Sequence, residues 1–205
     1  MKPSFFSLFV LFAFFTSLTT AKFLVDSQGE PIENGASYYI TGLIRPGPGG
    51  MDLAKTGNET CPFSVVQLPT SIFPDYGLPW TVTSPLKIRY ITPSTNVDFF
   101  SVEGKVPSCV PVPSKWTIVE GEDGVKSVKI SGGYEKTLQG WFRIQPYTLI
   151  AYKIVFCPIN GDSCRDLGIA IDHDGNWLLV IIDGYPLLAV FTKAESSDAR
   201  RASIM

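Results

Sequence analysis

The chain has 205 residues, a formal net charge of −2 and 45% hydrophobic residues. This slightly acidic balance, with no basic cluster larger than Arg200-Arg201, argues against nucleic acid or an anionic membrane as a partner. The chain has a single histidine and no Cys-x-x-Cys pair, so we expect no metal site and no cofactor.

The first 21 residues predict a secretory signal peptide. Lys2 supplies a positive start, Phe5–Phe15 is an apolar run interrupted only by Ser7, and Thr19-Thr20-Ala21 offers small residues for cleavage. The apolar run is too short to span a membrane. We therefore expect a secreted protein, extracellular or vacuolar, with one domain over residues 22–194. The remaining residues, 195–205, have little to bury and are expected to form a disordered tail.

The rest of the chain predicts an all-β fold, either a barrel or a sandwich. Short runs rich in β-branched and aromatic residues alternate with turns that contain Gly, Pro, Asn and Asp. No helical period of useful length appears. The predicted strands are Tyr38–Ile44, Ser64–Leu68, Leu86–Ile91, Trp116–Val119, Val125–Ile130, Trp141–Ile144, Ile150–Phe156, Gly168–Ile171, Trp177–Ile182 and Leu187–Phe191.

Two local motifs could indicate other functions. His173 lies between Asp172 and Asp174, but no Gly-x-Ser-x-Gly elbow accompanies it, and the sequence Asp172–Gly175 is typical of a hairpin turn. We find no sign of an enzyme. Gln139-Gly140-Trp141 matches the Gln-x-Trp element of ricin-type lectin repeats, yet it occurs only once, so we interpret Trp141 as a core aromatic.

Four cysteines are present, Cys61, Cys109, Cys157 and Cys164. An even number behind a signal peptide predicts disulfides, and four cysteines allow three pairings among which spacing does not choose. Asn58-Glu59-Thr60 is a glycosylation sequon in a predicted loop, so we expect Asn58 to be modified.

The segment Ser84-Pro85-Leu86-Lys87-Ile88-Arg89-Tyr90 has the features of a protease substrate. A trypsin-like enzyme binds a lysine through a buried aspartate in its specificity pocket. Pro85 fixes its own φ and favours an extended conformation at Ser84, which lowers the entropy lost on docking. The alternative is an ordinary solvated lysine beside a buried isoleucine.

Several segments together resemble the plant Kunitz (soybean trypsin inhibitor) family. The resemblance covers essentially the whole mature chain, and its motifs are Leu24–Ile40, Cys61-Pro62, Ser84–Tyr90, Trp141–Arg143, Tyr152–Pro158 and Ile171–Gly175. It implies a β-trefoil, which is a six-stranded barrel capped by three hairpins. It also implies that Cys61 pairs with Cys109 and that Cys157 pairs with Cys164.

The resemblance further implies a reversible, substrate-like inhibitor of trypsin-like serine proteases that acts as a monomer in plant defence. The reactive bond would be Lys87–Ile88, with Ser84, Pro85, Leu86 and Arg89 flanking it. Asn34 would brace this loop, although a plain turn role before Gly35 suits it as well. Two alternatives stay open: a storage or taste-modifying relative without inhibition, and an inhibitor of cysteine proteases or serine carboxypeptidases through another loop.

Overall fold

The computed structural model describes residues 23–43, 49–69, 75–130, 134–161 and 163–194, and in these ranges the secondary structure is entirely β. The predicted signal peptide and tail lie outside the described residues. Nothing in the described ranges forms a helix that could cross a membrane. The strands are β1 Ser37–Gly42, β2 Met51–Ala54, β3 Ser64–Gln67, β4 Pro79–Thr83, β5 Asn96–Ser101, β6 Trp116–Glu120, β7 Lys126–Ile130, β8 Thr137–Leu138, β9 Gly140–Pro146, β10 Tyr152–Pro158, β11 Arg165–Ile171, β12 Trp177–Ile181 and β13 Leu188–Lys193.

Six strands form a closed antiparallel barrel. Their order is β13, β1, β4, β5, β9 and β10, and β10 pairs back onto β13 through Tyr152 and Ala189. Closure leaves this sheet no free edge. The connections β4–β5 and β9–β10, together with the N-terminal residues, lie at the same end of the barrel, which we call the open end.

Three hairpins, β2–β3, β6–β7 and β11–β12, close the other end of the barrel. They pair with one another through β3–β7, β12–β3 and β12–β7 contacts. A six-stranded barrel with three capping hairpins is a β-trefoil, so the expected fold is confirmed.

The core lies inside the barrel and between the barrel and its cap. Alternating residues of each barrel strand point inward, as the burial pattern of β5 shows at Val97 and Phe99. Trp80, Trp116, Phe99 and Phe142 form a cluster whose contacting rings have centroids between 4.4 and 5.9 Å apart. All four side chains are almost completely buried.

The structure corrects two predictions. Leu86–Ile91 is not a strand: bends occupy 85–87 and 89, and only Tyr90 makes an isolated bridge. The alternating polar and apolar residues that predicted a strand belong instead to a loop, in which Ile88 packs against the core. Trp141 is half-buried, and its neighbour Phe142 takes the core position instead, because adjacent strand residues face opposite sides of a sheet.

Candidate functional site

The segment 84–95 connects β4 to β5 at the open end and carries the predicted reactive bond. Pro85, Leu86 and Lys87 are exposed, whereas Ile88 is half-buried and packs against the core. The Ile88 amide donates to the Leu86 carbonyl at 2.8 Å, which closes a three-residue turn around Lys87. Lys87 therefore lies exposed at the apex of the loop, and the residue after it, Ile88, is anchored against the core.

The Asn34 side chain contacts this loop on both sides of the Lys87–Ile88 bond. Its Oδ1 accepts the Ser84 amide at 2.8 Å. Its Nδ2 lies 3.4, 3.2 and 3.0 Å from the carbonyl oxygens of Ser84, Leu86 and Ile88. Because an amide has only two N–H donors, these three acceptors share them. One side chain thus joins the residues before Lys87 to the residue after it.

The backbone next to Asn34 fixes where this side chain points. The Asn34 amide donates to the Arg89 carbonyl at 2.8 Å, and the Gly35 amide donates to the Val82 carbonyl at 2.8 Å. Gly35 has φ +88°, a conformation that a residue with a side chain rarely adopts. Asn34 and Gly35 therefore form a turn, and this turn directs the side-chain amide of Asn34 at the Lys87 loop.

Further contacts, which the sequence did not suggest, extend the bracing. Ser84 Oγ accepts the Leu86 amide at 3.3 Å, inside the loop. The Arg89 guanidinium lies 5.0 Å from the centre of the Tyr90 ring, and that ring packs edge-on against Phe23 at 5.1 Å. An arginine followed by an aromatic residue is a weak sequence signal, and only the fold brings Phe23 to it.

The charges around the site favour an exposed cation at its apex. Lys87 has no ion-pair partner among the described residues. Glu33, next to Asn34, instead pairs with Lys193 at 3.1 Å, and this hydrogen bond raises the pKa of Lys193. Burial raises the pKa of Tyr38, whose hydroxyl accepts the Glu33 amide at 2.9 Å. The carboxylate next to Asn34 is therefore already paired with another lysine.

Both disulfides have the expected pairing, Cys61 with Cys109 and Cys157 with Cys164, which leaves no free cysteine. The first bond joins the β2–β3 hairpin to the β5–β6 connection, and the second closes the β10–β11 connection, in which residue 162 is not described. In the described residues no three His, Cys, Asp or Glu side chains group in a way that could hold a metal ion.

The other predicted residues lie apart from the loop. His173 sits in the β11–β12 turn, where Asp172 Oδ1 accepts the amides of Asp174 and Asn176 at 2.9 and 2.8 Å. Burial alone would raise the pKa of Asp172, but these hydrogen bonds lower it. This is a structural turn. The proline- and glycine-rich segment 45–50, which follows β1, lies mostly outside the described residues.

Asn58 is exposed in a turn of the β2–β3 hairpin, directly after Gly57 at φ +55°. The middle residue of the sequon, Glu59, is tied down. Its carboxylate pairs with Lys129 at 2.5 Å and accepts the Thr56 amide at 3.0 Å. Burial, with a smaller contribution from Glu59, raises the pKa of the neighbouring Tyr134 to about 12. The asparagine is therefore accessible on an anchored turn.

A braced, exposed loop at the open end of a β-trefoil suits a substrate-like protease inhibitor, but the fold by itself does not define a function. The family model for legume Kunitz proteins, described as trypsin and protease inhibitors, matches residues 24–193. The chain belongs to this family. Its relatives are inhibitors and not enzymes.

Two relatives and two solved structures illustrate the match. Trypsin inhibitor A of Glycine max is 38% identical over 95% of this chain and 93% of its own length. A trypsin inhibitor of Bauhinia variegata is 38% identical over 86% of this chain and 99% of its own. The structure of soybean trypsin inhibitor matches with a TM-score of 0.76 at 39% identity, covering 84% of this chain and 100% of the other. The soybean inhibitor in complex with porcine pancreatic trypsin matches with a TM-score of 0.76 at 38% identity, over 85% of this chain and 100% of that one.

Proposed function

We propose that this chain is a reversible inhibitor of trypsin-like serine proteases and that Lys87 enters the specificity pocket. The observation that carries the proposal is the position of Asn34, whose one side chain bonds the loop on both sides of the Lys87–Ile88 bond. A residue with only a turn role would not need these contacts. The exposed and unpaired Lys87 fits a pocket that ends in a buried aspartate.

The mechanism follows from what stays attached when the protease attacks. The protease serine adds to the Lys87 carbonyl, the Lys87–Ile88 bond breaks, and the Ile88 amine is the leaving group. On the acyl side, Asn34 holds the carbonyls of Ser84 and Leu86. On the amine side, Asn34 holds the Ile88 carbonyl and the core holds its side chain. The new amine therefore stays near the acyl carbon, and re-ligation competes with hydrolysis.

Three further parts of the proposal are supported by simpler observations. Residues 1–21 would direct secretion to the extracellular space or the vacuole, and two disulfides suit an oxidising compartment. Asn58 would carry a glycan, since it is exposed on the cap hairpin β2–β3, away from the open end. The six-stranded barrel has no free edge to pair with a second copy, which suits a monomer.

Titration of porcine pancreatic trypsin with the purified protein tests the proposal directly. We expect stoichiometric inhibition of trypsin and much weaker inhibition of chymotrypsin. Lys87→Ala should weaken trypsin binding by about 2–5 kcal/mol, because it leaves the aspartate of the pocket buried and unpaired. Lys55→Ala is the matched control, since Lys55 is an exposed lysine at the cap end.

The outcomes separate the alternatives. If Lys87→Ala inhibits trypsin as well as the wild type does, another loop is responsible. If the folded wild type does not inhibit trypsin, the proposal is wrong. Inhibition of papain or of a serine carboxypeptidase would then assign the chain to another target class, and no inhibition at all would favour a storage role.

A further inference from the structure

The β9–β10 connection, residues 147–151, exposes three large apolar side chains within four residues. Tyr147, Leu149 and Ile150 are 59%, 85% and 45% exposed. Burying a leucine side chain contributes about 1.5–3 kcal/mol, so leaving Leu149 largely in water forgoes a stabilisation that the buried leucines of the core obtain. Exposed apolar side chains grouped this closely in the chain make the connection a candidate interaction surface.

The connection is held by its own hydrogen bonds. The amides of Tyr147 and Thr148 both donate to the Ala151 carbonyl at 2.9 Å. The Ala151 amide donates in return to Thr148 Oγ1 at 3.0 Å. The apolar tip is therefore preformed, and docking it would cost little conformational entropy. Residues 147–151 also contain no lysine or arginine, the residues that pair with the aspartate of a trypsin pocket, so the tip is not a second reactive loop for the same enzyme.

The connection rises from the same end of the barrel as Lys87. Strand β5 follows the Lys87 loop in the chain, and its first residue, Asn96, pairs with Arg143 of β9. Strand β9 then continues to Pro146, three residues or roughly 10 Å beyond this pair. In the barrel order β4, β5, β9, β10 the two connections are two strand spacings apart, again roughly 10 Å.

A protease bound at Lys87 would extend over the roughly 10 Å that separates the two connections. A standard protease–inhibitor interface buries roughly 800 Å² on each partner, which corresponds to a patch with a radius of about 16 Å. We propose that the tip formed by Tyr147, Leu149 and Ile150 is a second contact surface for the same protease, docking on an apolar area beside the substrate cleft. The inference rests on the proposed function, because Lys87 sets where the protease sits.

The test compares two single-residue variants that remove similar apolar groups. Leu149→Ser removes the most exposed side chain of the tip, and Ile171→Ser removes one that is 65% exposed on the cap hairpin β11–β12. With porcine pancreatic trypsin we expect Leu149→Ser to raise the inhibition constant on the order of tenfold, which is about 1.4 kcal/mol. The change should appear mainly in the dissociation rate. Ile171→Ser should leave the constant unchanged.

The outcomes keep this inference separate from the proposed function. If the wild type inhibits trypsin but Leu149→Ser has the same inhibition constant, the tip is not a protease contact and Lys87 keeps its role. An equal loss in Ile171→Ser would also overturn the inference. If Leu149→Ser instead changes only the sedimentation behaviour of the free protein, the tip contacts a second copy of this chain. If the wild-type protein neither inhibits trypsin nor binds it through the Lys87 loop, both proposals are wrong.

Discussion

The two connections at the open end of the barrel are held in opposite ways. The β9–β10 turn is fixed by hydrogen bonds within five residues of sequence, between Tyr147, Thr148 and Ala151. The Lys87 loop has two local hydrogen bonds, between Ser84, Leu86 and Ile88, but its link to the barrel is Asn34, which is 50 positions away from Ser84 in the chain. The first connection keeps its shape wherever its ends are held, whereas the second depends on the whole barrel to bring Asn34 to it.

This difference makes rigidity of the Lys87 loop a property of the fold. A loop that is braced from a distant residue is free to be hydrolysed whenever the barrel opens, so its resistance to cleavage should follow global stability. A turn braced locally has no such dependence. Each of the following changes tests this contrast, in order of decreasing expected effect.

The largest effect is expected from the disulfides. Cys61–Cys109 spans a sequence separation of 48 residues and Cys157–Cys164 one of 7. In the chain-entropy model these closures contribute about 4 and about 2.5 kcal/mol. We expect denaturant unfolding of the Cys61→Ser/Cys109→Ser variant to show the larger loss of stability, and trypsin to cleave its Lys87–Ile88 bond faster. The Cys157→Ser/Cys164→Ser variant is the comparison, and equal cleavage in the two double variants would show that the loop does not depend on global stability.

The next effect concerns Asn34 itself. Asn34→Ala removes one acceptor and the shared donors, each hydrogen bond contributing about 0.5–1.5 kcal/mol. We expect faster hydrolysis of Lys87–Ile88, on the order of 30-fold for a loss of about 2 kcal/mol, and temporary inhibition in place of lasting inhibition. Mass spectrometry of the reduced chain after incubation with trace trypsin measures the cleavage.

Asn34→Asp is the sharper control for the same residue. An aspartate before Gly35 suits the turn as well as an asparagine does. It also keeps the acceptor for the Ser84 amide, but it places a carboxylate oxygen against the carbonyls of Leu86 and Ile88. We therefore expect Asn34→Asp to be cleaved at least as fast as Asn34→Ala. If trypsin cleaves Asn34→Asp as slowly as the wild type, Asn34 serves only the turn and does not brace the loop.

The smallest effect is expected in the β9–β10 turn. Thr148→Val keeps the shape of the side chain but loses the acceptor for the Ala151 amide. We expect a loss of about 0.5–1.5 kcal/mol in the free energy of unfolding. The rate of Lys87–Ile88 hydrolysis should then rise by no more than this global loss allows, on the order of tenfold at most. Hydrolysis accelerated beyond that limit would show that the two connections are directly coupled.

Local patterns in the sequence predicted most of the barrel and cap, but not every strand. Runs with strong alternation, such as β6 and β7, were found near their true bounds. Strand β5, Asn96–Ser101, was missed because Asn96, Asp98 and Ser101 gave its six residues a polar character. Burial of Val97 and Phe99 against the aromatic cluster outweighs this weak local preference.

By itself, the sequence determined the all-β class, the turn positions, the oxidised cysteines and the lysine that a trypsin-like enzyme would recognise, because each depends on residues close together in the chain. Only the tertiary structure decided which distant groups meet. Closure of the barrel carries Asn34 to Leu86 and Ile88 and Phe23 to Tyr90, and it leaves Leu149 in solvent. Local preference extends over only a few residues, whereas contacts between distant positions depend on the pairing of every strand between them.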